Sequence, residues 1–81
     1  MRVVLKPVVN QAKNGYLVRS PELRIAAYGS TLDLASHNLE RLALLYLRPF
    51  EREGCLREEL AAAGLENDAG GGDLIVALAE A

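Results

Sequence analysis

Only a few residues in this chain are chemically equipped to react: one histidine, one cysteine and a run of carboxylates. His37 as a general base needs a nucleophile within hydrogen-bond reach. It falls instead on the polar side of a helical stretch, with Arg41 one turn away and no nucleophile in register. Cys55 lies between Arg52 and Arg57 near a helix start, a setting in which thiols become reactive. With no catalytic partner in the sequence, the expectation for it is a small buried hydrophobe. Glu51, Glu53, Glu58 and Glu59 form a charge run on a helix and read as solvated. Two-metal phosphodiester chemistry needs acids projecting from strands, and the expected strands carry no Asp or Glu before Glu80. The triple glycine at 70–72 lacks the Lys-Ser/Thr that follows it in a phosphate-binding loop and reads as a linker. The expectation is a non-enzyme with no catalytic residue, no metal ligand and no cofactor.

Bulk composition narrows the classes further. At 81 residues and 51% hydrophobic content, the chain is expected to form one ordered domain over 1–81. A core this small gains from self-association. Phe50, Tyr16, Tyr28 and Tyr46 are the only aromatics, too few for a base-stacking platform. The net charge is −2, unevenly spread: residues 1–24 carry +4, residues 25–66 carry −3 and residues 67–81 carry −3. The basic N-terminal third could touch phosphate, although the overall acidity speaks against a dedicated nucleic-acid binder. A single cysteine permits no internal disulfide. With neither a signal-peptide pattern nor a membrane-length apolar run, a cytoplasmic protein is expected.

The elements that position these residues follow from periodicity. "RVVLKPVV" at 2–9 reads as a strand, with Pro7 marking a bulge, a strand end or the point where the neighbouring strand stops. "NQAKNG" supplies a hairpin loop of four to six residues, with Asn14-Gly15 suited to positive φ. "YLVRS" follows as the second strand, closed by Ser20-Pro21. In the third strand, 23–29, Leu23, Ile25 and Ala27 alternate with Arg24, Ala26 and Tyr28. Ser30 or Thr31 caps a helix over about 31–48, with Asp33 favourable to its dipole. At 100° per residue, Leu32, Ala35, Leu39, Leu42, Ala43 and Tyr46 gather as the sheet-packing face. Pro49 either kinks this helix or opens another, most secure over 55–63 with Gly64 as its C-terminal cap. A flexible "ENDAGGG" loop then leads to a last strand at 74–79, expected beside the first and parallel to it. The fold class is α+β: β-β-β-α-α-β, a two-layer sandwich of a mostly antiparallel sheet on one main helix.

The segment "GYLVRSPELRIAAYGSTLDLASHNLERLALLYL" resembles the HicB-like antitoxin family. That family has a Gly-Tyr strand opening, a Pro-acid-Leu corner, a strand ending Gly-x-Thr, and a helix patterned Leu-acid-x-Ala-x-x-Asn-Leu with a later Leu-Tyr-Leu. The matching residues are Gly15, Tyr16, Pro21, Glu22, Leu23, Gly29, Thr31, Leu32, Asp33, Ala35, Asn38, Leu39, Leu45, Tyr46 and Leu47. They lie within about 33 of the 81 residues, roughly 14 to 47. The resemblance implies a partial, catalytically degenerate RNase H-like fold. It also implies a protein–protein interaction role in a toxin–antitoxin system, binding and blocking a small mRNA-cleaving toxin. Fuller members carry a C-terminal DNA-binding region; the expectation here is a stand-alone domain.

Two surfaces remain as candidates. Leu34, Leu44, Leu45 and Leu47, with Asn38 among them, lie off the expected sheet-packing face. They form the expected partner or oligomer interface, most simply of a symmetric dimer; the other reading is that the second helix covers them within the monomer. The alternative function, RNA or DNA binding, rests on Arg2, Lys6, Lys13, Arg19 and Arg24.

Overall fold

The computed structural model describes residues 1–68 and 72–79. The chain is an α+β sandwich of two layers, with helix packed on mostly antiparallel sheet. In chain order the elements are β1 (Arg2–Leu5), β2 (Val8–Ala12), β3 (Gly15–Ser20), β4 (Ile25–Gly29), α1 (Leu32–Arg52), α2 (Leu56–Ala63), β5 (Glu66–Asp68) and β6 (Ile75–Leu78).

Pro7 decides the sheet topology. The expected first strand is two strands, divided at Lys6-Pro7 where the backbone lacks an N–H to donate. β1 lies between β5, antiparallel, and β6, parallel, with Leu5 opposite Leu78 as the last pair of that ladder. β2 starts a separate antiparallel ladder, β2-β3-β4, whose first pair is Val8 with Arg19. Both ladders therefore stop at the proline, one of the places expected for it. The last strand lies beside the first and parallel to it, as its apolar character and a right-handed crossover suggest.

Two details of the hairpin and loop differ from expectation. Ala12 pairs with Gly15, leaving a two-residue turn of Lys13 and Asn14, and neither Asn14 nor Gly15 has positive φ. Gly15 is required for space: a Cβ there would lie 2.3 Å from the Gly29 carbonyl oxygen and 2.8 Å from the Tyr28 hydroxyl. That hydroxyl donates to the Asn14 carbonyl at 2.8 Å and latches the turn. In the expected loop 66–72, residues 66–68 pair with β1 as β5; Gly70 and Gly71 of the triple glycine, and Glu80, lie outside the described residues.

Thr31 caps α1 with φ −123° and ψ 161°, its Oγ1 accepting the Leu34 N–H at 3.1 Å. The helix runs through Pro49 to Arg52. Proline leaves the Leu45 carbonyl without its helical donor, and Leu45 is exposed, so water reaches that end of the turn. Both helices end alike. The Cys55 N–H donates to the Phe50 carbonyl and the Leu65 N–H to the Leu60 carbonyl, both at 3.0 Å. Left-handed Gly54 and Gly64 make each turn possible, which is the Schellman geometry.

The buried residues of α1 are Ala35, Leu39, Ala43 and Leu47, four apart. Because 3.6 residues make a turn, each step of four advances the buried stripe about 40° around the helix. Ala35 and Leu39 pack on Val18 of the β2-β3-β4 sheet, whereas Ala43 and Leu47 join Val3, Leu5, Leu60 and Val76 in the core around β1. One helix thus serves two sheets by turning its apolar face along its length. Leu32, Leu42 and Tyr46, expected on the packing face, are left exposed.

α1 meets β4 with backbone against backbone: a Cβ on Gly29 would lie 2.3 Å from the Ala35 nitrogen and 2.7 Å from its Cα. Gly29→Ala is expected to destabilise the domain by about 2–3 kcal/mol, since the helix axis must shift to accommodate it. Urea unfolding of the variant against the parent measures the loss.

Candidate protein-interaction surface

The ladder geometry fixes which backbone groups are free. A two-residue turn makes Ala12–Gly15 a hydrogen-bonded pair. Alternation from there points the N–H and C=O of Val9 and Gln11 out of the sheet at the β2 edge. On the other side, the same alternation points those of Ala26 and Tyr28 out at the β4 edge. The two edges are not equivalent. The Asn38 side-chain amide reaches from α1 and donates to the Tyr28 carbonyl at 2.9 Å, occupying one of the free acceptors of β4.

Asn38 therefore belongs to an internal contact, and the apolar residues beside it form the surface. Leu34 (45% exposed), Leu42 (38%) and Leu45 (68%) lie along one flank of α1, on the β4 side marked by Asn38. Leu47, expected with them, is fully buried because the drifting stripe reaches its position at the end of the helix. Leu44 is half-buried, packed on the core, and lines a groove with Glu40, Arg41 and Leu74 to Val76 on the far flank. α2 approaches only the late turns of α1, where Glu59 meets Tyr46, and leaves Leu34 and Leu45 open. Leu42 was missed as a surface residue because an average angle for the whole helix hides the rotation of its buried stripe.

The basic residues are all exposed but scattered. Lys13 sits on the hairpin turn, five residues from Val8, which faces Arg19; Arg2 lies six residues from Val8 in the other direction. At ~3.3 Å per residue Lys13 is roughly 16 Å along the ladder from the Arg19 row, and Arg2 belongs to the other sheet. Lys6 stands in the break between β1 and β2. Arg19 and Arg24 line a common groove, with Ser20, Pro21, Ile25 and Ala26. Arg24 holds a turn conformation at φ 57°, so the strand expected over 23–29 starts two residues later, at Ile25.

Among the described residues, neither reactive side chain hydrogen-bonds a partner. His37 is exposed on α1, and Cys55 is half-buried at the start of α2 as a free thiol, rather than fully buried as expected. Among the described residues no three His, Cys, Asp or Glu side chains come together as a cation site. No helix among them is long and apolar enough to cross a membrane.

No family model, curated protein or solved structure matches the chain.

One polar cluster joins the corner at 21–24 to both helices. Glu22, Arg24, Tyr46 and Glu59 line it together with Leu23, Ala62 and Ala63. The Tyr46 hydroxyl donates to Glu59 Oε1 at 3.1 Å, and the Tyr46 ring tilts 54° against Phe50 at 5.5 Å. Partial desolvation, then the hydrogen bond and negative charge of Glu59, raise the Tyr46 phenol above 10.0; Arg24 opposes them. The native contact holds the protonated phenol, so whatever stability it contributes is present below pH ~10 and declines as pH rises through the native phenol's titration. The difference in ultraviolet titration between the parent and Tyr46→Phe is expected to isolate a phenolate transition above pH 10. In Glu59→Gln that transition is expected at lower pH.

Proposed function

We propose that this chain is a non-enzymatic protein-interaction module of the HicB type, which binds and blocks a small mRNA-cleaving toxin in the cytoplasm. The observation that carries this reading is the apolar flank of α1 formed by Leu34, Leu42 and Leu45 beside the Asn38-held edge of β4. Exposed leucines spaced along one helix face lose contact with water when a partner seats on them, and exposed apolar side chains on one flank of a helix are a common basis for association. In such a module the domain acts by covering its partner's RNA-binding surface, which requires shape and apolar contact and no reacting group.

The experiment is co-expression with the product of the neighbouring gene, followed by affinity capture. The parent is expected to retain that protein and to relieve its growth inhibition. Leu45→Glu is expected to keep the fold, because the side chain is 68% exposed, and to weaken the complex at least tenfold. Absence of a complex with the parent, together with no rescue of growth, overturns the reading.

Nucleic-acid binding has narrower support, the groove shared by Arg19 and Arg24. On that reading, affinity for single-stranded RNA at low salt falls steeply with added salt and is lost in Arg19→Ala/Arg24→Ala. No binding in filter or anisotropy assays at low salt eliminates it.

A further inference from the structure

The open edge of β2 has the pattern of a self-complementary seam. Among the described residues, no side chain hydrogen-bonds the outward backbone groups of Val9 and Gln11, in contrast to the Asn38 contact on β4. Beside this edge, between β2, the end of β6 and the first turns of α1, runs a groove lined by Val9, Leu32, Leu78 and Pro7, with Asp33 and Glu40 on its α1 side. Val9 is 43% and Leu32 42% exposed, so neither is covered within the monomer.

We propose that the occupant of this edge is a second copy of the chain, with the two β2 strands paired antiparallel about a two-fold axis at Asn10. Three features support that choice. In this register Val9 faces the partner's Gln11, and Gln11 faces the partner's Val9, so the free groups of both strands meet in two hydrogen-bonded pairs. These make four backbone hydrogen bonds, the pattern of two-fold strand addition. Next, the register brings the partner's Lys13 opposite Pro7, at the groove where Asp33 and Glu40 lie, so a cation from each copy reaches an acidic pair on the other. Finally, Pro7 has no N–H to offer at that point, so the inter-copy ladder can end there without an unpaired donor. The charges and the strand register thus select the same symmetric arrangement. An unrelated strand has no reason to match both.

This seam lies on the opposite flank of α1 from Leu34 and Leu45. It is independent of the proposed partner complex, and a dimer can hold two partners.

Sedimentation velocity of the full chain is expected to give a species of twice the 8.8 kDa chain mass. Asn10 is exposed, so Asn10→Cys in a Cys55→Ser background leaves the monomer's packing unchanged. The symmetric non-hydrogen-bonded pair sets its two Cα atoms ~4.5 Å apart, within disulfide range. Mild oxidation is expected to cross-link this variant, while Leu17→Cys, on the middle strand of the same sheet face, is not expected to cross-link. Lys13→Glu is expected to weaken dimerisation about tenfold, and adding Glu40→Lys to restore it. A monomer at all concentrations overturns the proposal. So does a dimer that ignores Lys13→Glu, or one that cross-links through Leu17→Cys as readily as through Asn10→Cys.

Discussion

Where α1 crosses β4, backbone rests directly on backbone, and the rest of the molecule is arranged around that approach. Without side-chain bulk at Gly29, the helix comes close enough for Asn38 to reach the Tyr28 carbonyl and for Ala35 and Leu39 to seal Val18. The contact also sets the rotation of the helix at its N-terminal end. From there, the four-residue spacing of buried positions carries the apolar face around to the second core, where Ala43 and Leu47 pack. Leu34 and Leu45 are exposed as a result of this geometry: once Ala35 faces the sheet, they must point away from it. The exposed flank and the buried stripe are two outcomes of one helix orientation.

Pro7 exerts the second constraint. A continuous first strand would give one sheet with one core; the break gives β1 and β2 different neighbours and divides the apolar residues into two clusters. Only a helix with a rotating apolar face can cover both. The density of leucine in α1, which seemed excessive for one sheet, follows from this shared duty. Leu44 and Leu47 serve the cluster around β1, and Leu39 the smaller one.

Much of this was legible in the sequence. Valine-rich alternation located the strands, Ser20-Pro21 closed β3, Thr31 capped α1, and the apolar run at 74–79 located β6 beside β1. The parts that were not legible have physical reasons. β5 is held by pairing with β1 across more than sixty residues, a contact invisible to local pattern in "END". Treating 31–48 as one face averaged away the drift of the buried stripe, which put Leu47 outside and Leu42 inside. Gly15 looked like a residue chosen for its torsion angles, whereas its constraint is the space taken by Gly29 and Tyr28. Neither Asn38's role nor the difference between the two sheet edges can be read before ladder parity is known.

The division at Pro7 also orders the chain in time. The β2-β3-β4 ladder is complete by residue 29, and its covering turns of α1 follow directly. β1, although it precedes that ladder in the chain, has its partners among the described residues at 66–68 and 75–78. On a ribosome β1 must therefore wait, unpaired and valine-rich, until residues 66–78 have emerged. The two halves of what looks like one strand thus pair with the nearest and the most distant parts of the sequence.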